Sequence, residues 1–270
     1  MRALRIIVCI KQVPHPDEAK VDPATGLVIR EGVPMVLNPN DYFTIEEALR
    51  LKEAMGGEVV AITMGPPTAE AVLREAISLG VDDGVLLCHR AFAGADTLAT
   101  AYALARGIES LGGYDLILTG SRSTDGETGQ VGPQIAELLG IPHLTELIRP
   151  IEVEGDHLLA WHQTDYGQEL LQMPLPALLT VAKGMNEPRL PSLRGKMRAK
   201  KQTIPIWGPQ EIKAEPDRIG LAGSPTRMLE TALPERKSGS KMLEGSMAHQ
   251  VDALLDHLAD MLPGKAGGRR

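Results

Sequence analysis

Residues 116–134 read Leu116-Ile117-Leu118-Thr119-Gly120-Ser121-Arg122-Ser123-Thr124-Asp125-Gly126-Glu127-Thr128-Gly129-Gln130-Val131-Gly132-Pro133-Gln134. An apolar run, Leu116–Thr119, gives way to glycines and hydroxyl side chains, and Gln134–Leu139 then takes up helical spacing. A strand, a glycine-rich turn and a helix in that order form one unit of an α/β sheet, whose ligands bind outside the carboxyl ends of the strands. In such a turn backbone amides approach an anion, hydroxyls such as those of Ser121, Ser123, Thr124 and Thr128 donate, and the helix N-terminus adds a favourable field. Asp125, Gly126, Gly129, Gln130, Val131 and Gly132 complete the candidate binding loop. It is neither a Walker loop nor a GxGxxG fingerprint, and an ordinary solvent turn is the competing reading.

Upstream, the same alternation repeats. Arg5–Ile10 is continuously apolar, as a strand buried on both faces should be. Thr44 and Glu47 form a capping-box pattern for a helix over 44–55, stopped by Gly56-Gly57. Val59–Thr63, Thr68–Leu79, Gly84–Leu87 and a helix capped by Asp96 or Thr97 and carrying Leu98, Ala101, Ala105 and Ile108 follow in turn. These crossovers predict parallel strands between helices, with the ends of three strands converging on one edge. Cys9, Lys11 and Val13 after the first strand, Asn38 in the Asn38-Pro39 turn, and Met64 and Gly65 after the second join the loop as candidate nucleotide contacts. Singly, each also reads as a turn, and Lys11 as a solvated end group.

Downstream, Leu144–Val153, Leu158–Thr164, Glu169–Met173 and Ala177–Val181 predict an antiparallel addition. Beyond Lys183 prolines and glycines multiply, which predicts an extended arm with little core of its own, ordered by a partner. Arg194-Gly195-Lys196-Met197-Arg198-Ala199-Lys200-Lys201 concentrates positive charge without aromatic side chains, so it is no platform for stacking RNA bases. It reads either as a solvated face or as an electrostatic docking patch with Leu193 and Met197 as apolar anchors. Residues 215–248 look like a linker, and His249–Leu262 like an amphipathic docking helix with Val251, Leu254, Leu255, Leu258 and Leu262 on one face. The expected domains are therefore 1–183, an arm over 184–214, a linker over 215–248, and a helix with its tail over 249–270.

Composition bounds the function. With 43% hydrophobic residues the 270-residue chain has material for a sizeable core. The 28 Lys+Arg against 35 Asp+Glu give a net charge of −7, which argues against a general nucleic-acid binder. Cys9 and Cys88 show no metal-ligand or redox spacing, and the seven histidines are scattered. The apolar run Ile6–Ile10 is too short for a signal-peptide core, so a cytoplasmic chain with no membrane span is expected. There is no nucleophile elbow, and Asp125 with Glu127 reads more simply as a helix cap or a solvent face than as a catalytic pair.

Taken together, these segments resemble the beta (small) subunits of electron transfer flavoproteins over nearly the whole chain. The resemblance rests on Val8-Cys9-Ile10-Lys11-Gln12-Val13-Pro14, on Asn38-Pro39 followed by Glu46-Glu47-Ala48-Leu49-Arg50-Leu51-Lys52-Glu53, and on Met64-Gly65-Pro66, in the same order as in the family. Asp165, Gly167, Glu169, Leu171, Pro176, Leu178, Leu179 and Thr180 match its strand signature, while His162 and Tyr166 depart from it. Asn186-Glu187-Pro188-Arg189, Leu193 and Met197-Arg198-Ala199-Lys200-Lys201 resemble its recognition loop, with Arg194-Gly195-Lys196 more polar than the mitochondrial loop tip.

The resemblance implies a Rossmann-like α/β nucleotide-binding fold and a heterodimer with an alpha subunit that carries most of the electron-transferring FAD. It also implies docking of a flavoprotein dehydrogenase, such as an acyl-CoA dehydrogenase, through Leu193, Met197, Arg198, Lys200 and Lys201. The site at the beta strand ends holds AMP in the respiratory type, or a second FAD that takes hydride from NADH in the electron-bifurcating type. The Thr124–Gln134 loop is closer to the bifurcating group. Two rivals come from other classes: an ATP-binding or ATP-hydrolysing α/β domain, and a purely structural subunit.

Overall fold

The computed structural model describes residues 3–15, 20–21, 28–29, 33–227, 239–240 and 242–259. The strands are β1 (Leu4–Cys9), β2 (Gln12–Pro14), β3 (Lys20–Val21), β4 (Val28–Ile29), β5 (Met35–Leu37), β6 (Gly57–Met64), β7 (Asp83–Leu87), β8 (Leu116–Gly120), β9 (His143–Leu147), β10 (Glu152–Glu154), β11 (His157–Thr164), β12 (Gly167–Pro174), β13 (Ala177–Val181) and β14 (Ile206–Trp207). The helices are α1 (Asp41–Met55), α2 (Glu70–Leu79), α3 (Thr97–Leu111), α4 (Val131–Leu139), α5 (Leu193–Lys201) and α6 (Met247–Ala259).

Among the described residues the main sheet has ten strands, and its spine β9-β13-β8-β1-β6-β7-β14 is parallel throughout. β1 is central because it is apolar on both faces. Leu4, Ile6 and Val8 enter one core layer with Ile45 and Leu49 of α1 and Leu73 and Ile77 of α2. Ile7 and Cys9 enter the other with Tyr102 and Ile108 of α3 and Ile135 of α4. The chain runs from β1 outward through β6 to β7 and then returns to β8 on the opposite flank of β1. That reversal opens a crevice between the carboxyl ends of β1 and β8, where an open α/β sheet places its ligand.

Three expectations are corrected in detail. Only β10, β11 and β12 form the antiparallel addition. β9 and β13 join the parallel spine, since a fully buried apolar run such as Ala177–Val181 suits either direction. Thr44 does not cap α1: the helix starts at Asp41, and Thr44 is buried with its Oγ1 unpartnered. Glu47, fully buried, accepts from the Ile151 amide at 2.7 Å and pairs with Arg50 at 2.6 Å, so tertiary contacts claim the residue that the pattern assigned to the cap.

The arm after Lys183 is ordered on its own domain. Asn186 Nδ2 donates to the Phe43 carbonyl at 2.9 Å, and Arg189 grips Glu46 from its Nε at 2.8 Å and also reaches Glu53. α5 packs on α2, β14 extends the sheet beside β7, and Ile204, Ile212 and Ile219 are buried. Glu215 N–H donates to the Tyr102 hydroxyl at 3.1 Å, and Arg218 stacks on the Tyr102 ring at 4.0 Å, so the expected linker packs against α3 over its first residues.

The chain divides into two compact units after Thr231. In the second, α6 carries Val251, Leu254, Leu255 and Leu258 on its exposed surface, while Leu262 and the tail lie outside the described residues. Among the described residues no helix is long and apolar enough to cross a membrane.

Candidate functional site

The crevice contains a cavity of about 400 Å³, within the range of small-molecule sites. Cys9, Lys11, Asn38, Met64, Ser121, Ser123, Gly126, Thr128, Gly129, Gln130, Val131 and Gly132, all expected from sequence, line it together. The other four expected residues are not part of the lining. Val13 is fully buried beneath the β2–β5 pair, and Gly65 makes the turn before α2 with its amide bonded to the Leu87 carbonyl at 3.0 Å. Thr124 donates its amide to Asn38 Oδ1 at 3.3 Å, and Asp125 binds Lys11.

Side-chain hydrogen bonds organise the loops. Asn38 Nδ2 donates to the Arg122 carbonyl at 3.1 Å and Asn40 Nδ2 to the same oxygen at 2.7 Å, tying the turn before α1 to the loop after β8. Lys11 Nζ reaches Asp125 at 2.7 Å and Ser123 Oγ at 3.3 Å across the cavity mouth. Burial acts against the Asp125 carboxylate, yet the hydrogen bond and charge of Lys11, with help from Ser123, hold it below the usual carboxylate range. Arg122 points away, to Glu146 at 3.0 Å and Glu127 at 3.8 Å. The Cys9 thiol is pushed up to about 12 by burial and by the Asp41 charge, so it is a neutral wall atom at physiological pH.

The geometry fits an anionic, partly apolar ligand. Gln130, at the N-cap of α4, makes no capping bond with its side chain, so it satisfies none of the helix's first amides. Gly132 in that first turn packs so tightly on Thr119 and Thr180 that a Cβ would lie 2.9 Å from each, which keeps the helix N-terminus close to the strand ends. Thr124 Oγ1 is buried without a partner and supplies an uncommitted donor behind the loop. Cys9, Ile10, Met64, Leu104 and Val131 give a surface against which an adenine can lie, and Lys11, Ser121, Ser123 and Thr128 give polar groups for ribose and phosphate.

The sequence reading missed the far wall: Ala95, Asp96, Thr97 and Thr100 at the start of α3. Asp96 had been read only as a cap, which it is, accepting from the Ala99 amide at 3.0 Å. The signal available was topological, because the end of β7 lies on the same sheet edge. Asp41, in the Asn38–Asp41 turn, and Gly120, in the loop segment after Leu116–Thr119, also line the cavity.

Comparison with known proteins decides the family. The model of the electron transfer flavoprotein domain matches residues 25–211. An electron transfer flavoprotein subunit beta of Thermoanaerobacterium thermosaccharolyticum is 43% identical over 256 residues, covering 94% of this chain and 98% of that protein. The chain belongs to the electron transfer flavoprotein family, among its beta subunits. A caffeyl-CoA reductase-Etf complex subunit of Acetobacterium woodii is 44% identical over 249 residues, covering 92% of this chain and 95% of that one. Protein FixA of Azorhizobium caulinodans is 39% identical over 268 residues, covering 96% and 95%.

In this electron transfer flavoprotein subunit the expected docking residues divide into two groups. Leu193 and Met197 are 77% and 54% exposed, and Leu190 just before them is 89% exposed. Arg198, also exposed, lays its guanidinium against the end of α2: its Nη2 donates to the Ile77 carbonyl at 2.8 Å and to the Val81 carbonyl. Arg74 of α2 returns the contact, donating to the Ala199 carbonyl and to the Gln202 carbonyl at 3.3 Å. Each helix thus receives an arginine from the other at its carbonyl end, where positive charge is favourable. Lys200 and Lys201 remain on the surface.

Proposed function

We propose that the chain is the beta subunit of a heterodimeric electron carrier, pairing with an alpha subunit and passing electrons from or to a flavoprotein dehydrogenase. The observation that carries this is the strand-end cavity between β1 and β8, lined by an apolar wall and a hydroxyl-rich loop, in a chain of this family. The Cys9 thiol, pushed up to about 12, stands in the cavity as a neutral wall group. A flavin would supply one- and two-electron chemistry when bound.

The adenine and ribose of AMP, or of the AMP half of FAD, would lie against Cys9, Ile10 and Met64, with phosphate oxygens toward Ser121, Ser123, Thr128 and the α4 amides. Lys11 and the loop that it fastens would exclude water from the cavity mouth. The small residues Gly126, Thr128 and Gly129 favour the bifurcating form, in which this site would hold a second FAD with NADH as its hydride donor. A relative named as part of a caffeyl-CoA reductase-Etf complex supports a carrier that works with an acyl-CoA type of oxidoreductase.

The test is anaerobic titration of the reconstituted heterodimer with NADH, followed by flavin absorbance. Bleaching of flavin by stoichiometric NADH supports the bifurcating form. A flavin spectrum unchanged by NADH, but bleached by a reduced acyl-CoA dehydrogenase, assigns the one-FAD form with AMP in the beta site.

A further inference from the structure

Asp41 is the one acid of the cavity wall that is nearly sealed from water, at 3% exposure, and it opens α1 without being needed as its cap. Its Oδ2 accepts from the Lys11 amide at 2.7 Å and its Oδ1 from Asn38 Nδ2 at 2.8 Å. Asn38 in turn holds the Arg122 carbonyl and the Thr124 amide, and a Cβ built on Gly120 would lie 2.4 Å from Asp41 Oδ1. One carboxylate therefore abuts the ends of β1 and β8 and the turn before α1.

We propose that Asp41 is the positioning residue of the pocket: through Lys11 and Asn38 its carboxylate sets the spacing between the β1 and β8 ends across which an adenine nucleotide binds. The inference rests on the nucleotide-binding reading above and goes beyond it by assigning the geometry to one group. The arrangement is costly, as expected where a buried carboxylate is held in a binding cleft. Burial pushes the carboxyl up to about 7, against the pull of the Lys11 amide, the Asn38 side chain and the Lys11 ammonium, while the Asp125 charge pushes the same way as burial. Lys11, Asp125 and the neutral Cys9 thiol are the titratable groups facing it. Both of its oxygens meet donors, so the ionised form suits the clamp that the fold disfavours.

Asp41→Asn separates the two roles. An amide offers one acceptor and one donor, so one of the two clamping bonds is replaced by a donor facing a donor. In the heterodimer stripped of nucleotide and dialysed against AMP or FAD at pH 8.5, the variant is expected to bind at least about tenfold more weakly. The amides of Lys11 and Thr124 are expected to exchange hydrogen faster. Thermal stability should nonetheless be equal or higher at pH 8.5. A folded-state pKa raised above its unfolded value contributes stability below the unfolded value and loses it as pH rises through about 7. That stability advantage of the variant should be smaller at pH 5.5 and vanish only below the ordinary carboxylate pKa, at about pH 4.

Parallel loss of stability and affinity at both pH values would reduce Asp41 to plain structural support and overturn the proposal. Unchanged affinity with unchanged exchange would overturn it too. Asn38→Ser, which breaks the relay and leaves the carboxylate, is expected to weaken binding in the same way even if Asp41→Asn fails to fold, and unchanged binding there counts against the proposal. Wild-type complex that takes up neither AMP nor FAD overturns the nucleotide reading itself, whereas wild-type binding with unaltered variants overturns only the role of Asp41.

Discussion

The strand-end loops and the arm after Lys183 are both rich in glycine and proline, yet most of their anchoring comes from different side chains. Around the cavity, side-chain amides and carboxylates hold backbone groups: Asn38, Asn40 and Asp41 spend their hydrogen bonds on the loops, leaving small residues and open amides toward the space they enclose. The arm is held by guanidiniums and apolar plugs, and it leaves large apolar side chains facing outward at Leu190, Leu193 and Met197. The first arrangement suits a small polar ligand and the second a protein surface. One chain thus keeps a polar strand-end cavity apart from an exposed apolar surface without dividing its core.

The contrast can be broken most severely at Gly195. A Cβ there would lie 2.1 Å from the Ser78 carbonyl oxygen, so Gly195→Val cannot keep α5 on α2. A stability loss of about 3 kcal/mol by urea denaturation is expected. Electron transfer to a partner dehydrogenase should fall on the order of a hundredfold, with nucleotide content retained. Loss of nucleotide in this variant would show that the two regions are one device.

Arg198→Leu is next. It removes the positive charge from the carbonyl end of α2 while sparing every residue of the cavity, and a loss of about 2 kcal/mol is expected, since hydrogen bonds to charged groups contribute about that much. Stopped-flow kinetics should show slower transfer to the dehydrogenase through a weaker complex, with the first-order step at saturation unchanged. Leu193→Ala sharpens the comparison from the other side: stability should change by less than about 0.5 kcal/mol, because Leu193 is 77% exposed. Transfer should nevertheless drop about tenfold if the leucine is an anchor. Lys11→Met is expected to cost the fold about 0–1 kcal/mol for a half-exposed ion pair, and its readout is faster release of bound nucleotide from the cavity mouth.

Much of this was legible in the residues because the fold's rules are local. Alternating apolar runs and helical periods placed the first strands and helices, and the glycine and hydroxyl loop after Leu116–Thr119 pointed to the crevice. What escaped was set by tertiary partners. Ala177–Val181 gives no direction because both of its faces are buried. α5 has no apolar stripe to announce it. Its helix is set by Ser192, which accepts from the Gly195 amide at 2.9 Å, and by the exchanged arginines. Asp41 reads only as the last residue of the Asn38–Asp41 turn, since nothing in a linear pattern tells that its two oxygens meet Lys11 and Asn38. Glu47 shows the converse, a plausible cap claimed by Ile151 and Arg50.

On the proposed function, the β1–β8 crevice would hold the AMP portion of a second flavin in a two-subunit carrier. Co-expression with the cognate alpha subunit, denaturation of the purified heterodimer and quantification of the released nucleotides test it most directly. The account predicts two FAD and no AMP per heterodimer. One FAD with one AMP would contradict the bifurcating assignment, and a stable heterodimer releasing no nucleotide attributable to the beta site would contradict the account of the crevice itself.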